Sequence, residues 1–195
     1  MSFEVDVAIR RGERLIEARL ANEGATVLLG RSGAGKTSVL MALAGLLRPE
    51  RGRVTVAGRT LFDADAGIDI APEHRRAGVV FQDARLFPHL RVGANLDYGL
   101  HPHADREGVI TMLGIGHLLH RWPRTLSGGE ARRVAIGRAL LTQPDYLLLD
   151  EPLSSLDPER AEEVTVAIER IRDTRGLPIL MVTHDREEAA RIGTT

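Results

Sequence analysis

The chain has 195 residues, 43% of them hydrophobic, and a formal net charge of −1 at pH 7, which predicts one soluble globular domain with a substantial core. The balance of acids and bases leaves no broad basic face, so nucleic acid is not an expected partner, and the absence of cysteine excludes disulfides and thiolate metal sites. No apolar run approaches the roughly 18 residues that cross a bilayer and no secretory signal is present, which predicts a cytoplasmic protein without a membrane span of its own.

The first predicted elements are strands. Residues 3–9 alternate apolar and polar side chains, and residues 14–20 do so less regularly, which predicts a half-exposed antiparallel pair. Residues 27–29 form a short apolar run that is followed by a glycine-rich turn and the apolar segment SVLMALAGLL. The predicted order in this region is therefore strand, loop, helix.

The middle of the chain mixes short strands with helices. Residues 52–57 predict a further strand, and residues 79–82 predict a short buried one. Residues 93–120 predict a mainly helical stretch that glycine and proline interrupt, and a longer helix is predicted to begin at Ser127.

The last third has the pattern of a parallel sheet. Residues 146–149 and 179–182 are apolar runs of strand length, and between them residues 158–175 have a helical pattern that ends at Gly176. Buried parallel strands joined by crossover helices have this order, so the pattern predicts an α/β fold. No internal repeat or flexible linker is evident.

Residues 30–37, GRSGAGKT, match the phosphate-loop pattern G-x-x-x-x-G-K-[ST] between a predicted strand and a predicted helix. The glycines let backbone N–H groups surround phosphate oxygens at a helix N-terminus. Lys36 is expected to reach the β and γ phosphates, and the Thr37 hydroxyl is expected to bind Mg²⁺. The alternative is a glycine-rich turn that only starts a helix. The motif predicts a nucleotide but not a reaction, because kinases, GTPases, motor ATPases and transporters share it.

Lys36 is also the only lysine among the 26 basic residues of the chain. A compact ammonium differs from the planar fork of arginine, so a position that places a point charge between phosphates could resist the exchange. Chance is the alternative, and the position of Lys36 inside the phosphate loop weighs against it.

Two carboxylates, Asp150 and Glu151, follow an apolar strand, at the end of the sheet where parallel α/β proteins bind ligands. Asp150 is positioned to hold Mg²⁺, and Glu151 to orient or deprotonate an attacking water. Two acids that only terminate the strand in solvent are the alternative.

Ser127 and Glu130 form a capping-box pattern, and the two glycines between them leave the helix end open to an anion. Asp157 before a proline likewise resembles a helix N-cap.

In chain order, these segments resemble the ATP-binding-cassette (ABC) ATPase family over nearly the whole chain. The motifs that carry the resemblance are the Walker A segment at 30–37, the Q-loop glutamine Gln82, the signature LSGGE at 126–130, Walker B at 146–150 with the adjoining Glu151, the D-loop SSLD at 154–157, and the switch histidine His184.

This resemblance implies a fold and an assembly. The fold would be α/β, a RecA-like phosphate-loop core with an N-terminal antiparallel β subdomain and a helical signature subdomain at about residues 86–140, all within one domain over residues 1–195. Two copies would face each other head to tail, with ATP between the phosphate loop of one copy and the signature segment of the other.

The resemblance also implies residue roles. Glu151 would be the general base, with His184 and Gln82 completing the catalytic set, and Mg²⁺ would be held by Thr37, Gln82 and Asp150. The residues expected to contact ATP are Gly30, Arg31, Ser32, Gly33, Ala34, Gly35, Lys36, Thr37, Ser38, Ser127, Gly128, Gly129 and Asp157.

A narrower resemblance, to the importer branch and its molybdate-transporting members, is carried by residues 72–76 (PEHRR) and 80–89 (VFQDARLFPH). It implies the ATP-binding subunit of an importer that couples ATP hydrolysis to uptake of molybdate or a related anion. Such a homodimer would sit at the cytoplasmic face of the membrane, attached through permease subunits at residues 82–98.

Two features depart from the family pattern. Phe3 is the only aromatic residue before Gly30, so the usual aromatic partner of adenine is missing and the manner of adenine binding stays open. The chain also ends at Thr195, where relatives continue, so a C-terminally short domain is expected.

Four other functions fit the sequence less well. A soluble non-transport ABC ATPase would usually carry a coiled-coil insertion or tandem cassettes, and neither is evident. A regulatory module that binds ATP with impaired turnover is disfavoured by the presence of Glu151 and His184. A GTPase lacks its N-K-x-D segment here, and a small-molecule kinase would not explain LSGGE.

Overall fold

The computed structural model describes residues 2–194, which form two β-sheets and six α-helices. In chain order the elements are β1 (Ser2–Arg11), β2 (Arg14–Glu23), β3 (Ala25–Leu29), α1 (Lys36–Ala44), β4 (Arg51–Val56), β5 (Arg59–Asp63), β6 (Ile68–Asp69), β7 (Ala77–Val80), α2 (Val92–Asp97), α3 (Arg106–Leu113), α4 (Gly128–Leu141), β8 (Tyr146–Asp150), α5 (Pro158–Arg175), β9 (Ile179–Thr183) and α6 (Arg186–Ile192).

The first sheet is antiparallel, with strand order β2, β1, β4, β5, β6. The predicted N-terminal pair is confirmed as a hairpin in which Arg11 lies opposite Arg14 across the turn. Alternate residues of β1, including Phe3, Val5 and Val7, are buried because one face of the strand covers the core.

The second sheet is parallel, with strand order β3, β9, β8, β7, and it confirms the predicted α/β fold. All residues of β8 and β9 are buried, as expected of continuous apolar runs covered on both faces. The strand predicted at residues 79–82 instead occupies Ala77–Val80. Gly78, which reads as a turn residue, lies opposite Leu147 inside the sheet, where an added Cβ would come within 2.6 Å of the leucine side chain.

Two cores lie on opposite faces of the parallel sheet. Leu147 and Leu149 point to a core shared with α2, α3, α4 and α5, whereas Tyr146 and Leu148 point to a core shared with α1 and the antiparallel sheet. The alternation follows from the period of two in a strand.

The helices expected at residues 93–120 and after Ser127 are confirmed as α2, α3 and α4. Helix α5 begins at Pro158 after the N-cap Asp157 and ends at Gly176, as the sequence predicts. The strands β5 and β6 and the helix α6 were not predicted. No helix within residues 2–194 combines the length and apolarity that crossing a membrane requires.

Candidate functional site

The phosphate loop leads from the end of β3 directly into α1. Gly33 and Gly35 have φ angles of 76° and 98°, in the left-handed region that favours glycine, and Gly35 is the N-cap residue of the helix. The backbone therefore turns before the helix begins and directs the helix N-terminus toward the loop. The predicted order of strand, loop and helix is confirmed.

The Lys36 ammonium lies against the backbone of the same loop. Its Nζ donates to the carbonyl oxygens of Gly30 at 2.7 Å and Arg31 at 3.1 Å. These two bonds hold the ammonium over the loop, where phosphate oxygens would compete with the carbonyl oxygens for the same donor.

Thr37 and Asp150 meet at the end of the parallel sheet. The Thr37 hydroxyl donates to Asp150 Oδ1 at 2.9 Å. Burial raises the pKa of the Asp150 carboxyl above its ordinary value, and the hydrogen bond from Thr37 acts in the opposite direction. A hydroxyl and a carboxylate at this distance are hard oxygen donors of the kind that Mg²⁺ prefers. Within residues 2–194 no cluster of three or more histidine and acidic residues could hold a metal, so a cation here would also need oxygens from the phosphates.

Glu151 has an unfavourable backbone conformation for a residue with a side chain. Its φ angle is 44°, in the left-handed region, which costs about 1–2 kcal/mol. Three hydrogen bonds hold the residue there: its N–H donates to the Val182 carbonyl, and the N–H and hydroxyl of Ser154 donate to its carbonyl. Strain of this kind is concentrated at functional sites, which is consistent with a role for the side chain.

The Glu151 side chain is paired with His184. Its Oε2 lies 3.4 Å from His184 Nδ1, and the imidazole is 59% exposed whereas the carboxylate is 18% exposed. The two residues follow the neighbouring strands β8 and β9, whose carboxyl ends lie at the same edge of the sheet. An acid and a histidine therefore lie together beside the Thr37–Asp150 pair.

One cavity of about 350 Å³ contains most of the predicted site. The phosphate loop forms one side, with Gln82 and Glu151 beside it and the β1–β2 hairpin on the remaining side. The residues that line the cavity are Arg11, Arg14, Ile16, Ser32, Gly33, Ala34, Gly35, Lys36, Thr37, Ser38, Gln82 and Glu151.

Gln82 lies in the loop after β7, and a residue that sequence reasoning missed holds its backbone. Arg132, 6% exposed on α4, donates from Nη1 to the carbonyl oxygens of Phe81, at 2.7 Å, and Gln82. The available signal was a pair of adjacent arginines, Arg132 and Arg133, within the helix predicted after Ser127.

The signature segment lies outside this cavity. Ser127 caps α4, and the predicted capping box is confirmed, because its Oγ accepts from Glu130 N at 3.2 Å and its N–H donates to Glu130 Oε2 at 2.7 Å. Side chains added at Gly128 and Gly129 would meet Leu156 and Arg160, so this helix end packs against the D-loop and α5.

Asp157 belongs to this second group. Its carboxylate accepts from Arg160 N at 3.1 Å and pairs with the guanidinium of the same residue. Neither Asp157 nor the signature glycines line the phosphate-loop cavity. Within one copy, the residues expected to contact a nucleotide therefore form two separate groups.

Glu188 is a further residue that the sequence did not point to. It lies on α6, where its Oε2 accepts from the Thr183 hydroxyl at 2.5 Å. Burial raises the pKa of the Glu188 carboxyl, and the Thr183 hydrogen bond acts in the opposite direction. The carboxyl supports the strand end that carries His184.

Comparison with known proteins places the chain in one family. A family model described as ABC transporter matches residues 15–154. The molybdenum import ATP-binding protein ModC of Brucella melitensis is 55% identical over 194 residues, or 96% of this chain, and that of Photorhabdus laumondii is 51% identical over 97% of it. The chain spans about half the length of these relatives, 54% and 55% respectively.

Two solved structures have the same fold. A dimeric post-hydrolysis state of the ATP-binding cassette MJ0796 bound to ADP and Pi has a TM-score of 0.75 at 26% identity, over 97% of this chain and 90% of that one. The structure of cbiO1 from Clostridium perfringens, part of the ABC transporter complex cbiONQ, has a TM-score of 0.76 at 26% identity, over 94% and 78%.

Proposed function

The chain belongs to the ABC transporter family, and we propose that it is the subunit of an importer that binds and hydrolyses ATP. One observation carries the proposal: the phosphate loop, Thr37 and Glu151 line a single cavity, and the Thr37 hydroxyl and the Glu151 carboxylate are in turn paired with Asp150 and His184 just outside its lining. The groups that would bind the phosphates, hold the cation and activate the water therefore lie close enough together to act on one γ-phosphate.

ATP binding would use the loop and the helix that follows it. The N-terminus of α1 and the loop N–H groups other than those of Gly30 and Ala34, which donate to backbone carbonyls, would present partial positive charge to the phosphates. Lys36 would exchange its two neutral carbonyl acceptors for negatively charged β- and γ-phosphate oxygens, so that both the donor and the acceptor of each bond carry a charge.

Hydrolysis would depend on the strand ends. Thr37, Asp150 and Gln82 would hold Mg²⁺, which when bound offsets the negative charge that develops on the phosphate oxygens. Glu151 would orient the attacking water and accept its proton, a role that typically contributes about 10²–10⁴-fold to rate. His184, which directly follows the neighbouring strand β9, would donate a hydrogen bond to the γ-phosphate.

The second group of residues would act across a homodimer. The capped end of α4 presents N–H groups and carries no side chain at Gly128 or Gly129, so it could approach the γ-phosphate held by another copy. Asp157 would lie at the same interface. The dimeric MJ0796 cassette bound to ADP and Pi supports this arrangement.

The proposed cargo is molybdate or a related anion, and the proposed location is the cytoplasmic face of the membrane, attached to permease subunits. The names of the ModC relatives support this assignment. Residues 82–98 would meet the permease: within them Tyr98 is 59% exposed and its ring centroid lies 4.3 Å from that of Phe87, which gives a partner an aromatic surface.

The first test is Glu151→Gln. We expect this variant to bind ATP like the parent protein, to hydrolyse it at least 100-fold more slowly, and to accumulate as an ATP-bound dimer. Phosphate release and nucleotide titration are the measurements. Glu4→Gln, on an exposed position of β1, removes a carboxylate away from the cavity and should leave both unchanged. Undiminished turnover in Glu151→Gln would remove Glu151 from the mechanism.

The importer assignment has its own test. A photo-crosslinking residue at position 98 should capture an integral-membrane protein when the chain is expressed with its native neighbours, and the same residue at position 4 should not. Capture at neither position, with ATPase activity intact, would favour a non-transport ATPase.

A further inference from the structure

An arginine beside the hydrolytic end of the sheet has no role in the chemistry described above. Arg85 lies in the same loop as Gln82, after β7, and its guanidinium carbon is 3.9 Å from the centroid of the Phe81 ring. We propose that Arg85 is a further catalytic residue, whose guanidinium binds the γ-phosphoryl oxygens in the transition state of ATP hydrolysis. The proposal rests on the proposed hydrolysis of ATP at this site.

The register of the parallel sheet places the Phe81 ring next to Asp150. The last pair between β7 and β8 joins Val80 to Leu149, so the next residues along the two segments, Phe81 and Asp150, are neighbours. Val80 and Leu149 belong to the core that contains α4. Because side chains alternate between the faces of a strand, the next two side chains point to the opposite face, where α1 carries Thr37. The ring under the guanidinium therefore lies on the side of the Thr37 hydroxyl.

The charge of Arg85 acts on the same carboxylate. Burial has the largest effect on the pKa of Asp150 and raises it, and the positive charges of Lys36 and Arg85 are among the influences that lower it. Lys36 belongs to the phosphate loop, whereas Arg85 belongs to the loop of Gln82, which also lines the cavity. A γ-phosphate bound beside Asp150 would thus have a cation on each of two loops.

The backbone of Arg85 has an unfavourable conformation that a second arginine stabilises. Its φ angle is 44°, in the left-handed region, and Glu151 has the same φ angle. Arg138 on α4 donates from Nη2 to the Arg85 carbonyl oxygen at 2.9 Å, which holds the loop in this conformation. Such strain persists where the surrounding structure enforces it, and it is concentrated at functional sites.

The N–H groups of the Arg85 side chain are available to a phosphate. Within residues 2–194, no carboxylate or carbonyl oxygen accepts from them, and the residue is exposed. The face of the guanidinium rests on Phe81, so its donors, which lie around the edge of the plane, remain free. Two of these donors can bind two oxygens of one phosphoryl group at once.

A cation in this place would act on the reaction more than on binding. In hydrolysis, the water oxygen bonds to the γ-phosphorus, the bond from phosphorus to the bridging oxygen breaks, ADP leaves with that electron pair, and Glu151 accepts the water proton. The negative charge of the phosphoryl group is redistributed as these bonds change. Arg85 would bind this charge where it develops, and it would therefore raise kcat without tightening ATP binding.

The test compares turnover with binding in the purified full chain. Arg85→Ala removes the charge and the planar fork, whereas Arg85→Lys keeps the charge alone. Arg175→Ala is the matched control, because Arg175 is exposed, has no ion pair within residues 2–194, and precedes β9 at the opposite edge of the sheet. Phosphate release gives kcat. Titrations with the β,γ-imido analogue of ATP, and with ADP in the presence and absence of orthovanadate, all with Mg²⁺, give the affinities for the ground state and for a mimic of the transition state.

We expect Arg85→Ala to lower kcat at least about 100-fold, to bind the imido analogue and ADP within about threefold of the parent protein, and to lose most of the tighter ADP binding that orthovanadate produces. Arg85→Lys should recover part of the rate, and Arg175→Ala should match the parent throughout. Unchanged kcat in Arg85→Ala, or a loss of imido-analogue affinity as large as the loss of kcat, would overturn the catalytic role of Arg85. A parent protein that does not hydrolyse ATP would instead overturn the proposed function.

Discussion

The position of the only lysine, Lys36, makes the difference between an ammonium and a guanidinium testable. Its Nζ reaches two loop carbonyls at once because the ammonium is compact. A guanidinium at position 36 would be larger and planar, so it could not occupy the same place over the loop. The charge alone should therefore not be sufficient for binding.

Lys36→Arg is expected to weaken ATP binding by at least about tenfold, a loss of about 1.4 kcal/mol, although the charge is unchanged. Calorimetric titration with ATP and Mg²⁺ measures the effect. Arg19→Lys makes the reverse exchange on an exposed residue of β2 outside the cavity and should leave the affinity within about twofold. Equal affinities for Lys36→Arg and the parent would show that only charge matters at this position.

Glu188 provides a prediction about pH. Burial raises its pKa in the fold, so ionisation costs folding free energy. That cost is absent below about pH 4.3, the ordinary pKa of glutamate, and reaches its full value above the raised pKa of the folded state. Glu188→Gln should therefore gain stability relative to the parent as pH rises through this window, while its amide oxygen still accepts from Thr183.

Denaturant unfolding at a series of pH values between about 4 and 8 measures this difference. Glu187→Gln removes a carboxylate from the same turn of α6 at an exposed position, and it should not show the rise. A stability difference for Glu188→Gln that is constant across the series would contradict the prediction.

The places of some candidate residues in the fold could be predicted from the sequence, and those of other residues could not. Glu151 and His184 could be placed at the same edge of the parallel sheet, because each directly follows an apolar strand and the end of the strand determines where the side chain lies. The contacts of Glu188 and Arg132 could not be predicted. Each residue lies on a helix, and a local sequence pattern does not determine how that helix packs against the sheet. The left-handed backbone conformation of Glu151 could not be predicted either, because it depends on hydrogen bonds with the backbone of Val182 and Ser154.

At the scale of elements, α4 links the signature segment to Gln82. The helix begins at the capped Ser127, and one turn further along Arg132 holds the carbonyl oxygens of Phe81 and Gln82. Any movement of α4 should thus be passed to the loop that carries Gln82.

Arg132→Ala is expected to lower kcat about tenfold or more with little change in ATP affinity, because Gln82 would lose its position near the γ-phosphate. Arg132→Lys should recover part of the rate, since an ammonium can still donate to the same carbonyls. Steady-state hydrolysis and nucleotide titration together measure the split. Equal losses in both variants, or a loss confined to ATP affinity, would indicate a structural role only.

The elements themselves were predictable to different degrees. The β1–β2 hairpin and the strands β8 and β9 have clear patterns, because one or both of their faces are buried along their full length. The predicted position of strand β7 was wrong by two residues, because glycine is more typical of a turn than of a strand. In the structure, the missing side chain of Gly78 is what lets Leu147 pack beside it. Strands β5 and β6 are too short for their alternation to be distinguished from a loop.

One segment that supported the narrower family resemblance has a structural explanation. Arg75, within residues 72–76, is 1% exposed, and its guanidinium donates to the carbonyls of Ala42 and Leu43 at the C-terminal end of α1 and pairs with Asp69. Burial lowers the pKa of this arginine. The segment therefore secures the helix that begins with Lys36, and partner recognition does not explain Arg75.

At the scale of the whole molecule, the parallel sheet separates two cores, and each core contains one of the two helices that the proposed function requires. The phosphate-loop helix α1 shares a core with the antiparallel sheet, whereas the signature helix α4 packs in the core on the opposite face. The order of motifs predicts both groups but not their separation, because sequence patterns carry no distances between elements. A second copy, facing the first in the opposite direction, would bring the groups together.

Gly128→Asp tests this assembly. An aspartate in the first turn of α4 favours the helix electrostatically, so the isolated chain should fold and bind ATP, but its charge would repel the γ-phosphate held by the other copy. In a Glu151→Gln background with ATP and Mg²⁺, we therefore expect light scattering to report the 21.3 kDa monomer, whereas Glu151→Gln alone should form a dimer of twice that mass. Gly128→Ala makes the same contact with Leu156 without the charge and should retain more of the dimer. A stable dimer in the Gly128→Asp variant would mean that the signature helix of one copy does not face the nucleotide of the other.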